Sequence, residues 1–479
     1  MNYTIMKNVF PAQDRFVFLG ITLFFIVCLG FSVFFEGTVD SGDSIMHYLY
    51  SKYSFTHTSL YYHHWAKPVF VLLSSPFSQF GIIGIKIFNS IVTSLSLLFT
   101  YFVAKKITKH HSSLSVIFLC FAPLYFIITF SGLTEPLFAF FLIFSIYLLI
   151  SEKVIASLVL ISFLPFVRSE GLILIGIYAF YLIVTKKYKL LPLLAIGHII
   201  YSIAGYFTYH NFLWVFTQIP YARLSSTYGS GRIFRFVNQM TYVIGIPLYI
   251  LLLLGIIYLI TTFFSRFLRK EESNYSFKLI IVYVGFFAFF VAHSLFWYLG
   301  IFNSMGLKRV LICVVPLISL ISLDGFNFVT KTLIKNRTFS RIAGFVLLGY
   351  VIIFPFTRNP AAIKWKKEFS LSDDQVLIKE MSTFIKKNYS GSVYYYYPPY
   401  ISVQLGIDPF DNNCKKGLPE LYNNTEIPAN ALIIWDNWCA VIENGISLES
   451  LQKDERLVEV KVFETPKSKF VIFKYNGSK

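Results

Sequence analysis

The sequence predicts an all-α, polytopic membrane protein that carries a C-terminal α/β domain. Three observations predict this fold class. Of the 479 residues, 56% are hydrophobic and only 14% are charged, and the mean hydropathy is +0.62. The apolar residues form long runs, and the charged residues are concentrated near the C-terminus. Because a soluble domain carries about 25% charged residues, this composition excludes a soluble enzyme, a disordered chain and a secreted disulfide scaffold.

About eleven apolar runs are long enough to cross a bilayer, either alone or as a short paired hairpin. The runs are 17–35, 69–104, 113–130, 134–150, 154–167, 170–184, 190–207, 236–263, 279–298, 310–329 and 342–357. The first run lacks a cleavage site of small residues, so we interpret it as a retained helix and not as a signal peptide.

The charge distribution divides the chain into two domains. Residues 358–479 contain 16 basic and 15 acidic residues, which is typical of a soluble α/β domain. Residues 1–357 contain 26 basic and 10 acidic residues, and these form the predicted transmembrane domain. Basic loops of this kind set membrane topology and contact lipid headgroups. No basic run is interleaved with stacking aromatic residues, so we expect no nucleic-acid partner.

The basic residues also predict the orientation. With the N-terminus in the cytoplasm, the inside segments carry 17 basic residues and the outside segments carry eight. The positive-inside rule therefore favours a cytoplasmic N-terminus and an extracytoplasmic C-terminal domain. We expect an integral, multi-pass protein of a bacterial inner or plasma membrane.

Two long loops lie on the predicted outer face, at 36–68 and 208–235. The first contains four of the nine histidines of the chain. Five of the ten carboxylates of the membrane part fall on this face: Glu36, Asp40, Asp43, Glu135 and Glu170. Because loops on a rigid scaffold tend to carry function, and because acidic groups at membrane depth are costly, we expect the functional site here.

The stretch from Asp40 to Tyr48 is the strongest local signal. Asp40 and Asp43 are three residues apart, so they share one face of a helical turn, and His47 follows. Paired carboxylates near a histidine could supply a general base or hold a metal ion. The alternative is structural, with Asp43 as the N-cap of a helix over 44–53.

Three further outer-face motifs each allow two interpretations. His64 and Lys67, just before Pro68, could contact a ligand or simply precede a helix that begins at the proline. Glu135 could face the cavity of Asp43, or it could stabilise a helix N-terminus next to a capping Thr134. Arg168 and Glu170 could contact an anionic headgroup or pair with each other.

Several outer basic residues are candidates for gripping a phosphate, because a guanidinium binds phosphate through two hydrogen bonds. The candidates are Arg168, Arg223, Arg232, Arg235, Lys308 and Arg309. For 223–235 the alternative is a surface helix that rests on anionic headgroups. For Lys308 and Arg309 it is interfacial snorkelling, in which the charge reaches the headgroups along its alkyl stem.

These motifs, in this order and on these loop sides, resemble the integral-membrane GT-C glycosyltransferases. The resemblance covers about residues 15–330. It rests on the acidic first loop followed by His47-Tyr48, on Trp65-Ala66-Lys67-Pro68 and on the Thr134-Glu135-Pro136 turn. The resemblance continues in the hairpin Arg168-Ser169-Glu170-Gly171. It extends to the segment Gly306-Leu307-Lys308-Arg309, which Pro316 follows. The protein O-mannosyltransferase-like, aminoarabinose-transferase-like and bacterial mannosyltransferase-like branches are the nearest groups.

The resemblance implies transfer of a sugar, such as mannose or another hexose, from a polyprenyl-phosphate donor. The acceptor would be a lipid, a glycan or a protein on the extracytoplasmic side. The resemblance assigns the role of catalytic base to Asp43, with Asp40 as the second candidate. In one branch of the family a second acidic residue directly follows the first-loop aspartate, whereas Ser44 follows Asp43 here. Val310 stands where the family often has a tyrosine after the arginine.

The remaining outer-face residues form the predicted substrate-binding set. They are His47, Tyr48, His64, Lys67, Glu135, Arg168, Glu170, Arg223, Arg232, Lys308 and Arg309. A carboxylate pair would allow Mg²⁺ or Mn²⁺ at Asp40 and Asp43, but the sequence does not decide metal dependence. The expected partners are the donor, membrane lipids and the acceptor.

The C-terminal domain is predicted to contain a helix over 373–388 and strands over 392–397, 431–435, 457–463 and 468–474. Cys414 and Cys439 are the only cysteines outside the membrane part, and an extracytoplasmic location would allow a disulfide between them.

The sequence also allows two other function classes. One is a transporter or flippase of a lipid-linked saccharide, and the other is a non-catalytic assembly protein of the cell envelope. A transporter should have related halves and charged residues at mid-membrane, whereas these carboxylates gather at one face.

Overall fold

The computed structural model describes residues 12–108, 110–220, 225–267, 277–389, 391–423 and 426–477. Within these ranges, seven helices are long and apolar enough to cross a membrane. They are Asp14–Phe34, Gly81–Ile107, Tyr188–Tyr209, Arg235–Thr262, Lys278–Leu299, Lys308–Leu333 and Arg337–Phe356. Four shorter apolar helices accompany them: Pro68–Ser78, Glu135–Ile150, Val154–Phe166 and Gly171–Val184. The polytopic helical architecture is confirmed, but eleven separate crossings are not established.

Prolines explain where the observed helices depart from the predicted runs. The run 113–130 is split into Leu114–Cys120 and Pro123–Ile128, because Ala122 before the proline is extended, with ψ 111°. The helix Arg235–Phe267 is interrupted at Gly245, two residues before Pro247, with a φ of 79° that favours glycine. The run 69–104 is divided between Pro68–Ser78 and Gly81–Ile107 for a different reason, because the second helix begins at Gly81 with a φ of 78° that favours glycine.

Short helices fill the loops at one end of this bundle. They are Asp43–Tyr53, the 3₁₀ turn Thr58–Tyr62 and Trp214–Thr217. The loops at this end are fastened to one another. The Tyr209 hydroxyl donates to the Tyr62 carbonyl at 3.2 Å, and the Gly231 amide donates to the Trp297 carbonyl at 3.1 Å. These contacts hold the predicted outer loops against one another.

The C-terminal region contains a five-stranded mixed sheet. The strands are β1 (Tyr394–Tyr395), β2 (Lys415–Lys416), β3 (Leu432–Asp436), β4 (Leu457–Glu464) and β5 (Lys469–Tyr475). Their order in the sheet is β2-β1-β3-β5-β4. β1 runs parallel to β2 and β3, and β5 runs antiparallel to β3 and β4. The four predicted strands are confirmed, and the two-residue β2 was missed because it is too short to show a pattern.

Helices complete this region. Asp373–Asn388 matches the predicted helix, and three helices of six or fewer residues are Trp365–Glu368, Tyr400–Leu405 and Leu448–Gln452. Residues of β3 alternate between the two faces of the sheet. Ile434 joins a core with Met381 of the long helix, whereas Trp435 faces a second, smaller core.

The C-terminal region is docked on the first long loop. The backbone amide of Gly37 donates to the Phe369 carbonyl at 3.1 Å, and the side-chain Nε2 of Gln375 donates to Thr38 Oγ1 at 3.0 Å. His57 Nε2 lies 2.8 Å from Asp408 Oδ2. The sheet therefore stands over the same end of the bundle as the acidic loop.

The predicted disulfide between Cys414 and Cys439 is wrong. Both residues have free thiols in the structure. Cys414 Sγ lies 3.5 Å from Asp411 Oδ2, and Cys439 begins the short turn Cys439–Glu443 after β3.

Candidate active site

Asp40 holds the N-terminus of the short helix Asp43–Tyr53. Its Oδ1 accepts hydrogen bonds from the amides of Gly42 at 3.0 Å and Ser44 at 3.2 Å. The prediction that Asp43 caps this helix is therefore wrong, because Asp40 accepts from the free amides of the first turn. The other oxygen of Asp40, Oδ2, lies 2.8 Å from Arg309 Nη1, so both oxygens of Asp40 are engaged.

Asp43 is the more available carboxylate of the pair. Its Oδ2 contacts Arg309 Nη2, and within the described residues no hydrogen bond reaches its Oδ1. The Asp43 side chain is 44% exposed, compared with 31% for Asp40. One carboxylate oxygen of Asp43 is therefore available to a ligand.

Glu135 lies behind these two residues and is fully buried. A close approach of the backbone brings it there. The Gly132 amide donates to Ser44 Oγ at 2.6 Å, and a Cβ on Gly132 would lie 2.3 Å from the Ser44 carbonyl oxygen. Glu135 Oε1 is 3.5 Å from Arg309 Nε, so this guanidinium contacts three carboxylates.

Arg168 extends the cluster to the hairpin. Its Nη1 lies 2.9 Å from Glu135 Oε1 and donates to Thr134 Oγ1 at 3.1 Å. Its Nη2 lies 2.9 Å from Glu170 Oε1. Thr134 makes no capping hydrogen bond to the helix that follows it, so its predicted role as a cap is wrong.

The result is a continuous chain of ion pairs from Glu170 through Arg168, Glu135 and Arg309 to Asp40 and Asp43. We call it the carboxylate–guanidinium chain. It joins four segments that are far apart in the sequence, and a sequence can predict its members only as separate motifs. Burial raises the pKa of Glu170, but Arg168 together with His293 and Lys67 outweighs it and lowers the value to about 2.

Lys67 and His47 lie beside this chain and are both buried. The Lys67 ammonium donates to Ser169 Oγ at 3.3 Å, and burial lowers its pKa to about 8. The His47 ring stacks on Trp65 with centroids 4.9 Å apart. Burial and the nearby charges of Lys67, Arg168 and Arg309 lower the pKa of His47 to about 3, so this imidazole is neutral at pH 7.

Two other predicted site residues have packing contacts instead. His64 is buried with Nε2 2.8 Å from the Val215 carbonyl, and its ring meets Trp214 edge-on. Tyr48 is 4% exposed within the main apolar core. No hydrogen bond or ion pair within the described ranges joins either residue to the carboxylate–guanidinium chain.

Of the basic residues of the second long loop, the structure describes Arg232 and Arg235, and neither forms a hydrogen bond or ion pair with the carboxylate–guanidinium chain. Arg232 is exposed at the surface, and Arg223 lies outside the described residues. Arg235 stacks on Trp297 with its guanidinium carbon 5.0 Å from the ring centroid, and its Nε donates to the Gly306 carbonyl at 2.8 Å.

A cavity of about 260 Å³ opens next to Asp40 and Arg309. The apolar part of its wall comes from the helix Pro123–Ile128 and neighbouring residues, and the charged part includes Lys308, Lys364 and Glu368. The Lys308 ammonium also lies 5.2 Å from the centre of the Tyr242 ring. The cavity therefore combines an apolar wall with three cations, from Lys308, Arg309 and Lys364, and two carboxylates, from Asp40 and Glu368.

Sequence reasoning missed three of these residues. Lys364 and Glu368 follow the last apolar run, where a charge-rich segment resembles any soluble surface. His293 is buried within an apolar run, with Nε2 lacking a hydrogen-bond partner among the described residues. An isolated histidine in such a run was the only available signal.

Asp40 and Asp43, as arranged here, do not fit a shared metal ion. Both contact the Arg309 guanidinium, so an ion between them would have to displace it. Across the described ranges, no group of three or more His, Cys, Asp and Glu residues could hold a metal.

No family model matches the chain, and no curated protein matches it in sequence. Solved structures do match it. ArnT from Cupriavidus metallidurans bound to undecaprenyl phosphate superposes with a TM-score of 0.59 at 11% identity, over 97% of this chain and 98% of ArnT.

The oligosaccharyltransferase of Archaeoglobus fulgidus, tethered to an acceptor peptide with the NVT sequon, matches with a TM-score of 0.52 at 12% identity. That match covers 96% of this chain and 74% of the enzyme. The apo form of the same enzyme gives 0.52 at 11% identity, over 95% and 74% of the two chains. The chain therefore has the fold of the GT-C superfamily, to which both of these enzymes belong.

Proposed function

We propose that this protein is an integral-membrane glycosyltransferase that moves a sugar from a polyprenyl-phosphate donor to an acceptor on the extracytoplasmic face. One observation carries the proposal. A carboxylate with an available oxygen lies beside a guanidinium, and this guanidinium borders a cavity that has an apolar wall and two lysines. The ArnT structure, which holds undecaprenyl phosphate on the same fold, supports the donor class.

The donor occupies the cavity in this proposal. The apolar wall near Leu124 and Ile127 receives the first isoprenoid units, and Lys308 and Lys364 attract the phosphate. Lysine is a point-charge phosphate ligand, whereas arginine grips two oxygens at once. Arg309 also borders the cavity, and it can contact the phosphate by exchanging part of its contact with Asp40.

The acceptor approaches from the side of Asp43. The acceptor hydroxyl oxygen attacks the anomeric carbon of the donor, and the bond from that carbon to the phosphate oxygen breaks. Its electron pair stays on the phosphate, which leaves as polyprenyl phosphate. The hydroxyl proton passes to Asp43 Oδ1, the oxygen without a hydrogen bond among the described residues. General base catalysis of this kind contributes about 10²- to 10⁴-fold.

Asp40 is the weaker candidate for the base. Its Oδ1 accepts two amides of the helix start and its Oδ2 contacts Arg309. Proton uptake at Asp40 would therefore break contacts that hold the loop. Asp40 acts as a positioning residue for Arg309 and Asp43.

Mannose or another hexose is the sugar class that the sequence resemblance favours, and a periplasmic or cell-surface location follows the charge of the loops. Mass spectrometry of glycolipids and surface glycans tests the proposal. A strain without this protein should lack one sugar on a defined glycan or lipid and accumulate the shorter precursor.

Complementation of that strain supplies the controls. The wild-type gene should restore the missing sugar, and Asp43→Asn should not restore it at equal membrane abundance. Identical glycolipids and glycans with and without the protein would contradict the proposal. Loss of a whole lipid-linked saccharide from the outer leaflet, with its unmodified form trapped inside, would instead favour the transporter alternative.

A further inference from the structure

The C-terminal sheet presents one specific edge to the candidate site. β1, β2 and β3 are parallel, so their carboxyl ends lie at the same edge. From β1 the chain continues to β2 at one edge of the sheet, whereas from β3 it continues to β4 at the opposite edge. The boundary between β1 and β3 is therefore a switch point, where open α/β sheets form a crevice at the carboxyl ends of their strands.

Two aromatic side chains follow directly after those strand ends. Tyr397 lies two residues beyond β1, and Trp438 lies two residues beyond β3. Tyr397 is 42% exposed and Trp438 is 49% exposed. Large exposed rings at such a crevice are typical of a ligand surface, because a folded domain would otherwise cover them.

Two hydrogen bonds tie this region to the outer loops that surround Asp43. The Tyr53 hydroxyl, at the far end of the helix that Asp43 begins, donates to the Ile407 carbonyl at 3.1 Å. The Tyr228 hydroxyl donates to Glu443 Oε1 at 2.5 Å and ties the second long loop to the turn after Trp438. Burial together with the charges of Glu443 and Asp43 raises the pKa of Tyr397 to about 12, which agrees with a position close to both carboxylates.

Building on the proposed function, we infer that this crevice binds the acceptor and that the acceptor is a glycan. Tyr397 and Trp438 stack on the apolar C–H faces of its sugar rings, and Glu443 accepts hydrogen bonds from its hydroxyls. The terminal sugar then presents its hydroxyl to Asp43. Two exposed rings beside a carboxylate suit a polyhydroxylated chain, because the C–H faces of its sugars can stack on the rings and its hydroxyls can donate to the carboxylate.

Complementation of the strain that lacks this protein tests the inference. The variants are Tyr397→Ala, Trp438→Ala and the double variant, with Tyr397→Phe to keep the ring. Tyr422→Ala is the matched control, because Tyr422 is 48% exposed in the same region at the end of a different turn. Membrane abundance and the unfolding temperature are measured for each variant.

We expect the double variant to lower the extended glycan at least ten-fold while the precursor accumulates. Tyr422→Ala should match the wild type, and Tyr397→Phe should keep most of the product because its ring remains. Linkage analysis should find the transferred sugar attached to another sugar. Wild-type product from a stably folded double variant would overturn the inference, and so would attachment of the sugar to a protein side chain or a lipid phosphate.

The two proposals fail in different ways. If Asp43→Asn removes the product but the aromatic variants do not, the acceptor assignment is wrong and the proposed function stands. If removal of the whole protein changes no glycan, the proposed function is wrong and the acceptor assignment falls with it.

Discussion

Arg309 Nη1 lies 2.8 Å from Asp40 Oδ2, although 269 residues separate the two in the chain. This contact joins the start of a membrane helix to the first long loop. The same guanidinium reaches Asp43 and the buried Glu135, and its side chain is only 14% exposed. Arg309 therefore compensates three carboxylates that would otherwise repel one another at the rim of the bundle.

Arg309→Ala should destabilise the protein and abolish transfer. Removal of one partner of a fully buried ion pair costs about 3–5 kcal/mol. The loss here should be smaller, because Glu135 keeps Arg168 and because Asp40 and Asp43 are partly exposed. Thermal unfolding in detergent should show a clear drop in the unfolding temperature. Arg309→Lys should recover part of the stability and little of the activity, since one ammonium cannot contact three carboxylates at once.

Arg232→Ala is the control for this experiment. Arg232 is exposed and lies outside the carboxylate–guanidinium chain, so its removal should leave the unfolding temperature unchanged. If Arg309→Ala unfolds at the wild-type temperature, the chain of ion pairs does not hold the site together.

Asp43→Asn and Asp40→Asn should have different effects on the transfer rate and on the unfolding temperature. Asp43→Asn should lower the transfer rate by about 10²-fold or more, because it removes the base. Its unfolding temperature should fall less than that of Asp40→Asn, because the Asp43 side chain is the more exposed of the two. Asp40→Asn should lower the unfolding temperature and reduce the rate less, because an asparagine oxygen can still cap the helix but loses the ion pair. The rates and unfolding temperatures of the two variants, measured side by side, decide which aspartate is the base. Equal losses of rate at unchanged stability would argue against the assignment of Asp43 alone.

Lys364→Met should weaken donor binding. Lys364 lies at the cavity and is exposed to solvent at its mouth. We expect the KM for a polyprenyl-phosphate sugar to rise about ten-fold, equivalent to about 1.4 kcal/mol, with kcat nearly unchanged. Lys367→Met is the control, since Lys367 is exposed and does not line the cavity. An unchanged KM for Lys364→Met would remove Lys364 from the donor site.

Lys67 predicts a basic limb in the pH profile of transfer. Its folded pKa of about 8 lies below the ordinary 10.5, so its positive charge beside Ser169 is lost as the pH rises through 8. The activity should fall with it. Below pH 8 the folded state keeps the buried charge, which lowers the free energy of unfolding. Between pH 8 and 10.5 the folded state loses this proton while the unfolded state keeps it, so the free energy of unfolding should rise over that window.

Lys67→Arg gives the contrasting profile. A guanidinium stays protonated throughout this range, so the limb near pH 8 should vanish. A profile for Lys67→Arg that matches the wild type would assign the limb to another group.

Titration of thiols tests the cysteine assignment. Under denaturing, non-reducing conditions the protein should show five free thiols, because all five cysteines are unpaired in the structure. A count of three would restore the disulfide between Cys414 and Cys439 that the sequence suggested.

The sequence predicted which charged residues come together better than it predicted the contacts they make. The sequence singles out Asp43 and Glu135 because acidic groups are costly at membrane depth, and Arg168 and Arg309 because a guanidinium binds phosphate. The fold gathers all four. Their pairing depends on loops that meet only in three dimensions. Arg309 was expected to hold a phosphate, and in the structure it is already occupied by carboxylates.

Errors arose where two physical roles share one sequence pattern. An aspartate before a helix can be a cap or a free carboxylate, and here Asp40 takes the first role while Asp43 keeps an available oxygen. A histidine before a proline can bind a ligand or pack, and His64 packs. The cavity residues Lys364 and Glu368 were missed because nothing in a charge-rich segment distinguishes one exposed lysine from the next.

The release of polyprenyl phosphate by the purified, full-length protein tests the central claim most directly. The protein is reconstituted into liposomes with a panel of polyprenyl-phosphate hexoses and membrane extract from the deletion strain as the acceptor source. We predict release that accompanies sugar transfer from one of these donors in the wild type and a loss of about 10²-fold or more in Asp43→Asn. Equal release by the wild type and a stably folded Asp43→Asn would contradict the account.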